Sequence, residues 1–196
     1  MEIIDKTLPD YCWKQKDMAS IDTIVIHYFS GLYVDPEHKF DMQICYDLFL
    51  DLNLPDTQRH HVMKPGTTGQ RSYGSAHYLV GREGECWSLV PLPKIAWHAG
   101  VSEWKGRKYC NNFAVGIETV ATYDSGYTDE QYETLIELCV ELMNKYQIAI
   151  DNITGHEFIA PGRKKDPGPK FDWDRLKSGI RDKLDKSFMD QITDLF

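Results

Sequence analysis

The run "FAVGIETV" (residues 113–120) constrains the fold more than any other stretch. It is apolar and rich in β-branched side chains, so it reads as a core strand, yet it carries Glu118. A carboxylate there is costly to bury unless it is paired or lies near a metal. It can equally be the outward residue of a half-exposed strand, and composition alone leaves both readings open. A second run, "TIVIH" (residues 23–27), reads as a buried strand ending in His27. "AHYLV" and "CWSLV" flank "GREGE", a hairpin signal in which Gly81 and Gly84 supply the turn. Helical spacing separates these strands. Phe40, Ile44, Leu48 and Leu52 fall four apart. Thr128 with Gln131 forms a capping box ahead of a stripe from Tyr132 to Met143. Asp172 caps a last helix carrying Trp173, Leu176, Ile180 and Leu184. Strands mixed with helices predict an α/β fold, with helices packed on one sheet. The 196 residues, without repeat or linker, predict a single domain over 1–196, its core at about 20–185 and a C-terminal tail at 186–196.

The formal net charge of −8 leaves no global basic footprint for nucleic acid, so an anionic ligand must be gripped locally. No window approaches the roughly 18 apolar residues of a membrane span, so no membrane partner is expected. The first residues lack a basic segment followed by an apolar run, which predicts no secretory signal and a cytoplasmic protein. Five scattered cysteines without C-x-x-C read as reduced thiols and do not support a zinc–cysteine site. The sequence does not fix an oligomeric state.

Seven histidines are present, but there is no H-E-x-x-H, no G-x-S-x-G and no Walker A loop. The stretch "GHEFIAPGRKKDPGPKFDW" (residues 155–173) is too punctuated for a helix and too polar for a buried strand. It holds His156 and Asp166, which with His27 make a possible three-ligand zinc set with a fourth position open to water. The bland alternatives are a structural strand-end histidine and a turn aspartate. Lys164, two residues before Asp166, shares its face in an extended segment and could stabilise an oxyanion, or could be a solvated surface lysine. "AWHAG" offers Trp97 and His98 as a ligand-groove wall or as core residues. His77 reads as structural. His60 and His61 read as exposed residues of a long loop over 56–74.

Together "TIVIHYFS", "SAHYLVGREGECWSLVPLPKIAWHAG", "GRKYCNNFAVGIE" and the 155–173 stretch resemble the zinc-dependent N-acetylmuramoyl-L-alanine amidases of the AmpD type, over roughly residues 20–178. That family is similar in fold to phage amidase lysozymes and peptidoglycan-recognition proteins. The resemblance implies a central mixed β-sheet with helices packed on it. It implies one zinc ion per chain on His27, His156 and Asp166. Glu118 would be the general base and Lys164 would stabilise the tetrahedral intermediate. Arg107, Asn111, Trp97 and His98 would contact peptidoglycan or muropeptide substrate. The implied reaction cleaves the amide between the lactyl group of N-acetylmuramic acid and L-alanine, in cell-wall recycling. The alternatives are an endolysin with the same chemistry and a non-catalytic muropeptide-binding module.

Overall fold

The structure, a computed structural model, describes residues 1–53 and 74–193. In chain order the strands and helices are β1 (Ile3–Asp5), β2 (Trp13–Asp17), β3 (Thr23–Phe29), α1 (Met42–Asn53), β4 (Tyr78–Val80), β5 (Cys86–Ser88), β6 (Lys94–Ala96), β7 (Glu103–Trp104), β8 (Arg107–Lys108), β9 (Ala114–Val120), α2 (Asp129–Tyr146), β10 (Ile153–Gly155), α3 (His156–Ile159) and α4 (Trp173–Thr193). Six strands form a mixed sheet in the order β1-β5-β4-β9-β3-β10. Its only antiparallel pair among the described residues is the β4–β5 hairpin. Small two-stranded sheets pair β2 with β6 and β7 with β8. This is the predicted α/β architecture.

The two central strands, β3 and β9, run parallel and in register, with His27 opposite Glu118. Side chains alternate between the faces of a strand, so each of these strands serves two environments. Ile24, Ile26, Val115 and Ile117 face α2 and α4, where Tyr132, Leu135, Leu138, Leu176 and Ile180 close an apolar core. On the opposite face Val25 and Ala114 pack with Phe113 and Ile159. Farther along that face, Leu79 and Val120 meet Met42, Cys45 and Phe49.

The helix starts form where the sequence sets them. Thr128 Oγ1 accepts from the Gln131 backbone N–H, and the Gln131 side chain accepts from the Thr128 N–H. Asp172 Oδ1 accepts from the Arg175 N–H at 2.9 Å. The hairpin closes through the Gly81 N–H on the Glu85 carbonyl, with Gly84 at φ +84°. All five cysteines are buried and none forms a disulfide among the described residues. One boundary differs from expectation. The last helix runs on past residue 185 to Thr193, because residues 186–193 contain no glycine or proline to stop it. The expected tail is largely the continuation of α4. The loop expected over 56–74, with His60 and His61, lies outside the described residues except for Gly74.

Candidate metal centre

His27 is delivered by the fifth position of β3 and is 1% exposed. Beside it in register, β9 delivers Glu118, 8% exposed. His156 begins α3 directly after edge strand β10, and Asp166 returns from the loop that follows. The Glu157 N–H donates to the Asp166 carbonyl at 2.8 Å, and the Tyr127 hydroxyl donates to the Pro167 carbonyl at 2.8 Å. These bonds tie the loop down on both sides of the Asp166 carboxylate. Gly155 permits the close approach, since a Cβ there would collide with the Pro167 ring.

Three potential ligand atoms converge. His27 Nδ1 lies 2.9 Å from Asp166 Oδ2, His156 Nδ1 lies 3.0 Å from the same oxygen, and the two Nδ1 atoms are 3.0 Å apart. His156 Nε2 sits 3.1 Å from the Ala99 carbonyl and 3.3 Å from Arg163 Nη2; a hydrogen on Nε2 suits the carbonyl and leaves the Nδ1 lone pair for a metal. His27 Nε2 faces His98 Nδ1 at 3.0 Å. With that Nε2 as donor, two imidazole lone pairs and a carboxylate oxygen point at one another. Such an arrangement calls for a cation or an added proton among them. Two nitrogens and one oxygen suit zinc, whose tetrahedral ligands at ~2.0–2.1 Å sit roughly 3.4 Å apart, and leave a fourth position open. The residues present therefore fit a divalent ion.

Burial dominates the electrostatics. It lowers the His27 pKa to about 4 and drives His98 well below the usual histidine value. On Asp166 burial opposes the charge, but the two imidazoles outweigh it and hold the carboxyl far below its ordinary range. Glu118 goes the other way, raised well above the usual value by burial and then by the Asp166 charge. Its Oε2 is buried and has no hydrogen-bond partner among the described residues. A buried carboxylate oxygen left unpaired is expensive, which marks a group held ready for something that arrives.

These groups open onto a cleft of about 650 Å³. Trp97, Tyr28 and Ser75 form part of its wall, and exposed Lys164 and Lys165 stand at its rim. Glu118, His156, Asp166, Lys164 and Trp97 thus share one cleft. The other expected contacts sit differently. Arg107 Nη1 pairs with Asp22 at 2.8 Å and its guanidinium lies over the Phe113 ring, outside this cleft's lining. A short β7–β8 hairpin carries Arg107 away to a local anionic partner, which the sequence alone does not reveal. Asn111 acts on the backbone, its Oδ1 accepting from the His98 and Ala99 N–H groups. His98 edges onto the cleft but is 8% exposed and committed to His27. The sequence does not single out Arg163 as part of this site. Its guanidinium donates to the Ala99 and Val101 carbonyls at 2.6 and 2.7 Å, pinning the loop behind His156. The only signal was its place in the basic run just before Asp166.

Comparison with known proteins follows the same lines. The family described as N-acetylmuramoyl-L-alanine amidase matches residues 17–169. A Haemophilus influenzae 1,6-anhydro-N-acetylmuramyl-L-alanine amidase AmpD is 36% identical over 178 residues, covering 86% of this chain and 87% of the relative. The Enterobacter cloacae protein of the same name is 49% identical over 112 residues, 57% of this chain. That match spans 60% of the relative's length. A crystal structure of a selenomethionine AmpD derivative superposes with a TM-score of 0.68 at 33% identity, covering 88% of this chain and 99% of that one.

Proposed function

The chain belongs to the N-acetylmuramoyl-L-alanine amidase family, and from that footing we propose that it hydrolyses the amide joining the lactyl group of N-acetylmuramic acid to L-alanine. The substrate class is soluble 1,6-anhydro-muropeptide, the class carried in the name of its AmpD relatives, and the setting is cytoplasmic cell-wall recycling. The observation that carries the reading is the convergence of His27, His156 and Asp166 beside Glu118, whose buried Oε2 has no partner among the described residues, with His156, Asp166 and Glu118 lining one cleft.

His27 and His156 through Nδ1, and Asp166 through Oδ2, would hold one zinc ion. Zinc when bound supplies Lewis acidity, polarising a carbonyl and lowering the pKa of water from 15.7 towards ~7. Glu118 takes a proton from the attacking water as its oxygen bonds to the carbonyl carbon. It returns that proton to the alanine nitrogen as the C–N bond breaks. The Lys164 ammonium faces the carbonyl oxygen and offsets its developing charge. Trp97 presents an aromatic wall to the substrate, and Asn111 acts indirectly by holding the backbone of "AWHAG". The whole described chain serves this one site as a single amidase domain.

The test offers purified, zinc-loaded protein both soluble anhydro-muropeptide and intact sacculi. Release of the stem peptide from the soluble substrate is expected. Lysis of sacculi with no turnover of the soluble substrate would replace recycling by an endolysin role. No cleavage of either by protein carrying one zinc per chain would leave a binding module.

A further inference from the structure

We propose that His98 is a positioning residue that sets the tautomer in which His27 offers Nδ1 to the metal. The inference rests on the metal-site reading above but concerns a residue outside the ligand set.

The chain of donors is short and directional. His98 Nε2 lies 3.1 Å from the Ala114 carbonyl, which cannot donate, so Nε2 carries the hydrogen. A neutral His98 then has its lone pair on Nδ1, 3.0 Å from His27 Nε2. One proton fits between those two nitrogens, and it belongs to His27 Nε2. His27 Nδ1 is thereby left as the acceptor, on the side of Asp166 and His156. The reversed relay would place a hydrogen on His27 Nδ1, where a metal must bind. The backbone carbonyl of Ala114 thus decides, through one ring, which nitrogen of the next ring is a ligand. His156 Nε2 has its own neighbours, the Ala99 carbonyl at 3.1 Å and Arg163 Nη2 at 3.3 Å.

The fold has made room for this ring. His98 is held edge-on to His27, with ring centroids 5.1 Å apart and planes at 81°. Gly116 lies two residues before Glu118 on the same face of β9, and a Cβ there would collide with the His98 imidazole. The Asn111 side chain fixes the His98 and Ala99 backbone from the other side. Three features of "AWHAG", "NNF" and "AVGIE" therefore serve the orientation of one imidazole.

The test compares zinc affinity of the wild type, His98→Phe and His98→Asn. Phe keeps a ring without an acceptor, whereas the Asn carboxamide oxygen can reach the position of Nδ1. Outer-shell partners of ligand histidines typically contribute ~10–100-fold in metal affinity. His98→Phe should weaken zinc binding by that factor, and His98→Asn should recover much of it. In the zinc-loaded wild type, nitrogen-detected NMR of the His27 ring should show the hydrogen on Nε2. Zinc affinity of His98→Phe within twofold of wild type, or a His27 hydrogen on Nδ1, overturns the proposal. Should His98→Phe fail to fold, the wild-type NMR measurement decides. A wild type that takes up no zinc is a different failure, since it removes the metal reading beneath this one.

Discussion

The two faces of the central sheet are built from the same strands and obey different rules. On one face Ile24, Ile26, Val115 and Ile117 meet α2 and α4 in an apolar core. On the other, one residue along each strand, His27 and Glu118 are buried next to His156, Asp166 and His98. Polar groups without solvation cost free energy, so the second face is the more expensive to fold. The dry face offsets that cost. The difference teaches that strand alternation here separates stability from chemistry: even steps hold the sheet, odd steps hold the site.

That separation can be broken at either face. The largest effect should come from Asp166→Ala, which removes the anionic ligand and should empty the site and abolish turnover together. Zinc content near one per chain in that variant would contradict the assignment. On the dry face, Leu176→Ala removes a fully buried side chain and should destabilise by ~2–5 kcal/mol, read as a lower urea midpoint. The comparison predicts no change in zinc affinity for that variant, and a change above a few-fold would show that the two faces are coupled. Lys164→Ala should cost ~2.7–4 kcal/mol of transition-state stabilisation, a drop of roughly 10²–10³ in kcat, while zinc stays bound. Full turnover would remove Lys164 from the mechanism.

Acid should act on the polar face through its buried histidines. His77 is fully buried and its pKa is lowered to about 4 by burial, against an ordinary value of 6.5. The unfolded chain takes up a proton in that window and the folded chain refuses it. Stability is therefore full above about pH 6.5 and falls as the pH drops towards 4. The loss from this group approaches about 3 kcal/mol below both values. Urea midpoints of chelated protein at pH 7 and pH 4.5 check it, with no loss in acid as the contradicting result.

The dry face and the helix starts were legible because their signals are local. The 3.6-residue stripe of α2, the Thr128–Gln131 box and the Gly81–Gly84 hairpin each lie within a dozen residues of sequence. The site face was legible only in part. Its ligands come from positions 27, 156 and 166, and no periodicity links them, so the family resemblance supplied what spacing could not. The resemblance places His98 against substrate, and the structure adds a contact that the sequence does not show, His98 Nδ1 to His27 Nε2, for a residue that still lines the cleft. The resemblance places Arg107 there too, and the structure shows it paired with Asp22, off the cleft's lining. Both depend on contacts across 71 and 85 residues of chain, which one-dimensional reasoning does not contain. Arg163 was hidden inside a basic run that otherwise reads as solvated surface.

The account stands most directly on Glu118→Gln, measured for zinc content and anhydro-muropeptide turnover in the same preparation. Gln keeps the size of the side chain but cannot take the proton from water. The predicted result is one zinc per chain with turnover reduced by ~10²–10⁴. Turnover near wild type with zinc bound would contradict the role given to Glu118, and with it the claim that the polar face of the sheet is a hydrolytic site.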